Sequence, residues 1–126
     1  MTDVLVVDDD SGLREVLELS LDALGYTVAS VSDGQEALEW LHEHQAELPR
    51  LVLLDWMMPR CNASEFRRAQ LSDERLAKIP VVLLTADLRI DAKGRELLAD
   101  AYLQKPVRLA TLRDVTDRYV NGGRAL

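Results

Sequence analysis

Five side chains able to do chemistry stand where short apolar runs give out. Asp8 and Asp9 follow Val4–Val7, Asp55 follows Leu51–Leu54, and Thr85 follows Val81–Leu84. Lys105 follows Tyr102, Leu103 and Gln104. Apolar runs this short read as strands buried on both faces. Carboxylates at their exits lie where open α/β sheets bind ligands. Acids converging there repel one another unless a cation joins them. Hard oxygen ligands that leave room for water suit Mg²⁺. An aspartate can serve as a covalent nucleophile. With a metal-holding carboxylate pair, a hydroxyl and a lysine, it completes the parts for phosphoryl transfer to Asp, because cations neutralise the transferring oxygens and in-line positioning does the rest.

Elements must be arranged to bring these ends together. Apolar runs recur at Val4–Val7, Val28–Val31, Leu51–Leu54, Val81–Leu84 and Tyr102–Leu103. Segments with helical spacing lie between them. Leu13, Val16, Leu17, Leu21 and Leu24 share one helix, N-capped by Ser11 and stopped by Gly25. Asp33-Gly34-Gln35-Glu36 reads as a capping box opening a helix with Ala37, Leu38 and Leu41, ended by Pro49. A third helix follows Ala63 with Phe66 and Ala69 inward, and Arg67-Arg68 is read as a solvated face. Leu88 to Asp100 is a weaker helix, interrupted by Gly94. Leu109, Leu112, Val115 and Tyr119 form the last. Strands alternating with helices predict a doubly wound, five-stranded parallel sheet of α/β class, order 2-1-3-4-5, flavodoxin-like (βα)5. Strands 1 and 3 then flank the switch point, and Asp8, Asp9 and Asp55 meet there.

Composition narrows the function class. The 126 residues fit one domain, and 48% hydrophobic residues suffice for a core. No apolar run approaches the roughly 20 residues of a membrane span. The start lacks the basic-then-apolar pattern of a signal peptide. The single cysteine, Cys61, precludes an internal disulfide and points to a reducing cytoplasm. A net charge of −7 argues against direct nucleic-acid binding. Asn121-Gly122-Gly123 reads as a helix stop, giving a domain over 1–121 and a short flexible tail over 122–126. His42 and His44, two apart on a helix, are surface side chains rather than ligands.

Over essentially its whole length the chain resembles the receiver domain of two-component response regulators, of the stand-alone type. The resemblance rests on Val6-Val7-Asp8-Asp9-Asp10, Leu54-Asp55-Trp56-Met57-Met58-Pro59, Leu84-Thr85-Ala86 and Tyr102-Leu103-Gln104-Lys105-Pro106, in that order and each at a strand end. It implies that Asp55 is the phosphoacceptor. Mg²⁺ would be held by Asp9 and Asp55 directly, by Asp8 through water, and by the backbone carbonyl of Met57. Lys105 would pair with the phosphoryl group, behind a cis Lys105–Pro106 peptide. Thr85 would swing to hydrogen-bond that group, and Tyr102 would move inward with it. The implied partners are a histidine kinase or histidine phosphotransfer protein and a downstream target. Output would come from the face of the fourth helix, fifth strand and last helix, with room for a phosphorylation-dependent homodimer. The domain would assist its own phosphorylation and dephosphorylation without being an enzyme in the usual sense. Met57 and Asp87 fall at positions that set the lifetime of the phosphorylated state.

The chain departs from the family pattern in places. Asn62-Ala63 replaces the usual Asn-Gly or Asp-Gly, the stretch from Thr85 to Lys105 is short, and Leu98-Ala99 replaces Gly-Ala. These touch readout rather than the five chemical residues.

Three other readings compete. A haloacid-dehalogenase-type phosphohydrolase also starts from Asp at the first strand end. That reading finds no paired acids after Lys105 except Asp114 and Asp117, which fall in a helix, and it leaves Asp55 without a role. A degenerate receiver would bind partners without phosphorylation, but the complete residue set argues against it. A flavin mononucleotide binder would need a Ser/Thr/Gly-rich loop after strand 1, which is not there.

Overall fold

A computed structural model describes residues 2–56, 63–86 and 99–121. The strands are β1 (Val4–Val7), β2 (Val28–Val31), β3 (Leu51–Asp55), β4 (Val81–Thr85) and β5 (Ala101–Gln104). The helices are α1 (Ser11–Ala23), α2 (Gly34–Glu43), α3 (Ala63–Leu71) and a C-terminal helix (Leu109–Thr116), which runs on into a wider turn over Asp117–Asn121. A short 3₁₀ turn spans Leu76–Lys78. All strand pairs are parallel, in the order β2-β1-β3-β4-β5. The expected sheet is therefore the observed one.

The central strands β1, β3 and β4 are buried throughout. Successive strand residues point to opposite faces, so each strand feeds two cores. Leu5, Val7, Val52, Leu54, Val81 and Leu83 pack against Ala37, Leu41 and Phe66 of α2 and α3. Val4, Val6, Leu51, Leu53, Val82 and Leu84 pack against Leu17 and Leu21 of α1 and Leu112 of the C-terminal helix. Continuous apolar runs, rather than alternating ones, are what a sheet covered on both faces requires.

Local details correct several expectations. Asp10, not Ser11, caps α1: its carboxylate accepts from the Leu13 N–H at 3.1 Å. Gly25 ends that helix at φ +95, as its type suggests. Val16 is 56% exposed, so the buried stripe of α1 is narrower than the apolar spacing implied. Asp33 caps α2 through the Glu36 N–H, while the Glu36 carboxylate reaches back to the Ser32 N–H. That helix stops at Glu43, well before Pro49, because His44 caps it: the ring stacks on Trp40 and Nδ1 meets the Trp40 carbonyl at 2.7 Å.

Arg67 is buried rather than solvated, and Gln70 is fully buried beside it, while Ala69 is only partly covered. The Arg67 guanidinium donates to Gln70 Oε1, and the Gln70 amide donates to the carbonyls of Leu76 and Ile79. The polar pair therefore satisfies itself and ties the 3₁₀ turn beneath α3. In the C-terminal helix Leu112, Thr116 and Val120 face inward, while Leu109 is 56% exposed. The expected helix over Leu88 to Asp100 lies largely outside the described residues, as do the Asn62 loop, Cys61 and residues 122–126.

Candidate functional site

Each chemical side chain is delivered by a strand end. Asp8 leaves β1 with its N–H still bonded to the Val31 carbonyl at 3.2 Å. Asp55 is the last residue of β3, in register with Leu84. Thr85 is the last of β4, and its carbonyl accepts the Lys105 N–H at 2.8 Å. The Lys105–Pro106 peptide is cis. The parallel register therefore places these residues at one edge of the sheet.

The side chains converge. Carboxylate oxygens of Asp8, Asp9 and Asp55 all lie within 4.8 Å of one another. The Lys105 Nζ donates to Asp55 Oδ1 at 2.8 Å and to Asp8 Oδ2 at 3.2 Å. Asp8 is fully buried and Asp55 is 4% exposed, whereas Asp9 faces solvent. Further contacts hold Asp8: its Oδ1 accepts the Asp10 N–H at 2.9 Å, and its carbonyl accepts from the Arg14 guanidinium at 2.7 Å. Arg14 was not singled out from the sequence. Its place one turn into α1, aimed back at the strand end, was the available signal.

The electrostatics follow from this packing. Burial pushes the Asp55 carboxyl up to about 6, the Lys105 hydrogen bond opposes it, and the negative charges of Asp8 and Asp9 add to the rise. Burial works against the Lys105 ammonium, but the hydrogen bonds and charges of Asp55 and Asp8 outweigh it and hold its pKa above the usual lysine value. Clustered carboxylates with one lysine among them leave an excess of negative charge. An exposed oxygen on Asp9 beside buried ones on Asp8 and Asp55 is a hard-oxygen donor set of the kind a partly hydrated Mg²⁺ takes.

This carboxylate-lysine cluster at the ends of β1, β3 and β5 decides the family. The chain belongs to the response regulator receiver domains, whose family pattern it matches over residues 4–117. Receiver domains are signalling domains of two-component systems rather than enzymes in the usual sense. The chain is 35% identical over 105 residues to the phosphate regulon transcriptional regulatory protein PhoB of Pseudomonas aeruginosa, covering 82% of this chain and 44% of that protein. It is 39% identical over 105 residues to a probable transcriptional regulator, ycf27, of Guillardia theta, covering 82% of this chain and 39% of that protein. The chain thus spans less than half the length of these relatives. Among solved structures, the chemotaxis response regulator CheY4 of Vibrio cholerae superposes with a TM-score of 0.84 at 28% identity, covering 94% of this chain and 98% of that one. The receiver domain of the sensor histidine kinase PA1611 of Pseudomonas aeruginosa, with a magnesium ion coordinated in its active-site cleft, gives a TM-score of 0.85 at 26% identity, covering 94% and 97%.

Other expected residues fall in different places. Thr85 is buried at the strand end, while Tyr102 on β5 is 42% exposed. Trp56 packs partly against the α2–α3 core beside the site. Asp114 is exposed on the C-terminal helix, and Asp117 accepts from the Tyr26 hydroxyl, so neither joins the cluster a phosphohydrolase would need. Met57 and Asp87 lie outside the described residues. No helix among the described residues is long and apolar enough to cross a membrane.

Proposed function

We propose that this receiver domain is a phosphorylation-dependent switch in which Asp55 accepts a phosphoryl group from a histidine kinase or histidine phosphotransfer protein. The observation carrying this reading is the Lys105 ammonium, bonded at once to Asp55 and Asp8 inside the carboxylate cluster. An Asp55 oxygen attacks phosphorus in line; the new O–P bond forms as the donor P–N bond breaks, and the donor imidazole keeps the electron pair and takes up a proton. Asp9, Asp55 and the Met57 carbonyl directly, and Asp8 through water, would hold Mg²⁺, which would neutralise charge on the phosphoryl oxygens.

The chain's own groups do the rest. The Lys105 ammonium transfers its hydrogen bond from the Asp55 carboxylate to a phosphoryl oxygen. The Thr85 hydroxyl donates to another. Its inward move opens space for Tyr102, which turns from solvent toward the sheet. A local charge change thereby biases a two-state surface that a target protein reads, or that a second copy of the domain pairs with. Met57 and Asp87 tune the lifetime of the phosphorylated state, with the Asp87 carboxylate orienting the attacking water.

Trp fluorescence tests the proposal. Trp40 stacks on His44 and would report that helix end, so the work uses a Trp40→Phe background in which Trp56 reports the site. Titration with Mg²⁺ should give one saturable change and beryllofluoride, a phosphoryl mimic, a second. Asp55→Asn should abolish the response to the mimic. A flat response to both would sink the switch and leave a receiver that binds partners without phosphorylation.

A further inference from the structure

A groove of about 500 Å³ lies at the opposite end of the sheet, where the chain enters β3 and β4 and the C-terminal helix gives out. Arg50, Arg75 and Lys78 line it, together with the rings of Pro49, Pro80 and Tyr119. The chain as a whole carries −7, so cations gathered on one concave surface are unusual for it. None of them is ion-paired with a carboxylate among the described residues.

The two arginines are held yet still have donors to offer. The Arg50 guanidinium gives one hydrogen bond to the Val120 carbonyl, and Arg75 gives two to Gln45. A guanidinium has five N–H donors in a planar fork, so both retain capacity for an oxyanion. Lys78 is exposed at the end of the 3₁₀ turn. That turn is fixed from below by the buried Gln70 amide on the Leu76 and Ile79 carbonyls. Tyr119 is fixed by its hydroxyl bond to the Asp100 carbonyl at 3.1 Å. The turn backbone and the Tyr119 ring are therefore set before any ligand arrives.

We propose that this groove binds a small organic phosphate carrying a flat ring, a nucleoside monophosphate in chemical class. Arginine forks and a lysine match the phosphate oxygens. The Pro80 and Tyr119 rings, each partly exposed, offer apolar faces for the base, and the groove volume falls within the range of small-molecule sites. A bare inorganic anion would leave those rings unused. A polynucleotide would meet the negative charge of the rest of the surface. The groove is separated from Asp55 by the length of β3, roughly 15 Å at the rise of a strand, so it is a second site.

Titration of the full chain with AMP, adenosine and inorganic phosphate, followed by the amide resonances of Arg50, Lys78 and Val81, tests this. AMP should shift those amides saturably with a dissociation constant of about 1 mM or tighter, and the other two should bind at least about tenfold more weakly. An Arg75→Gln/Lys78→Gln double variant should keep the same melting temperature and lose about tenfold in AMP affinity. The proposal is overturned by the absence of saturable shifts, by phosphate alone matching AMP, by shifts confined to the neighbours of Asp8, Asp9 and Asp55, or by undiminished binding in the double variant.

Discussion

Lys105 Nζ sits 2.8 Å from Asp55 Oδ1, and the same nitrogen reaches Asp8 Oδ2 at 3.2 Å. One ammonium therefore serves two buried carboxylates, with Asp9 a third acid in reach. Burial is the main reason that Asp55 holds its proton up to about 6 despite a hydrogen-bonded lysine, and the negative charges of Asp8 and Asp9 add to the rise. The cost to the pocket is electrostatic, and a bound divalent cation would relieve it.

Asp55→Asn should abolish phosphoryl acceptance from a small phosphodonor such as acetyl phosphate, read as loss of the added mass in intact-protein mass spectrometry. The same variant should be more stable than the parent in the absence of divalent ions. Each pKa unit is worth about 1.4 kcal/mol, so a carboxyl moved from 3.8 to about 6 penalises the folded state by at most about 3 kcal/mol at neutral pH. Urea unfolding in EDTA measures the gain; equal or lower stability of the variant would contradict a destabilising Asp55 carboxylate.

The pH dependence of that gain has a definite sign. The folded chain keeps the Asp55 proton up to about pH 6, while the unfolded chain releases it near 3.8. Between those values the folded state binds more protons, so the Asp55 contribution to stability falls as pH rises through this window and is recovered on acidification. The stability difference between Asp55→Asn and the parent should therefore be largest above pH 6 and shrink toward zero by about pH 4. A difference that stays flat between pH 4 and pH 7 in metal-free buffer would refute it.

Lys105→Met removes the only ammonium bonded to Asp8 and Asp55 among the described residues. Breaking a buried pair by deleting one partner leaves uncompensated charge, and because Lys105 is partly exposed the expected loss is about 2–3 kcal/mol at neutral pH. Millimolar Mg²⁺ should restore part of it by mass action. The initial rate of phosphorylation should drop by about 10²-fold, as for loss of one preorganised donor. Stopped-flow Trp56 fluorescence reads the rate, and an unchanged rate would remove Lys105 from the chemistry.

Gln70→Ala strips the donors from the Leu76 and Ile79 carbonyls and one acceptor from Arg67. Buried polar groups left unpaired cost about 1–3 kcal/mol each, and partial relaxation of the 3₁₀ turn makes about 3 kcal/mol the expected total. Chemical denaturation should register that loss while Mg²⁺ affinity stays the same, since Gln70 holds the turn that enters β4 and the cluster stands at the other ends of the strands. A changed Mg²⁺ affinity would show that the network reaches the metal pocket.

Gly25→Ala should cost about 1 kcal/mol, because φ is +95 and an alanine there is strained although nothing lies within 4 Å of its methyl position. Thermal unfolding of the pair is sufficient, and no loss would mean that the turn after α1 can adopt another conformation.

Much of this protein is legible without coordinates because the signals are local. Apolar runs ending in Asp, Thr or Lys name both the strands and the residues they deliver, and the parallel order follows from the alternation with helices. Gly25 and Asp33 declare their turns by residue type alone. What escaped the sequence depends on side-chain geometry and packing, whether the partner is near in the chain or far. Arg67 reads as solvated until the 3₁₀ turn and Gln70 close over it. Arg14 gains meaning only when α1 turns it back to the Asp8 carbonyl. Capping by Asp10 rather than Ser11 is decided by which oxygen reaches the Leu13 N–H. The Lys105 bridge joins residues 50 and 97 positions apart, and the groove at Arg50, Arg75 and Lys78 gathers three separate segments. Residue type and periodicity determine which elements form and what chemistry they carry. Burial, pKa and the sharing of one lysine between two acids arise only when packing excludes water and sets the distances, and those exist only in the folded chain.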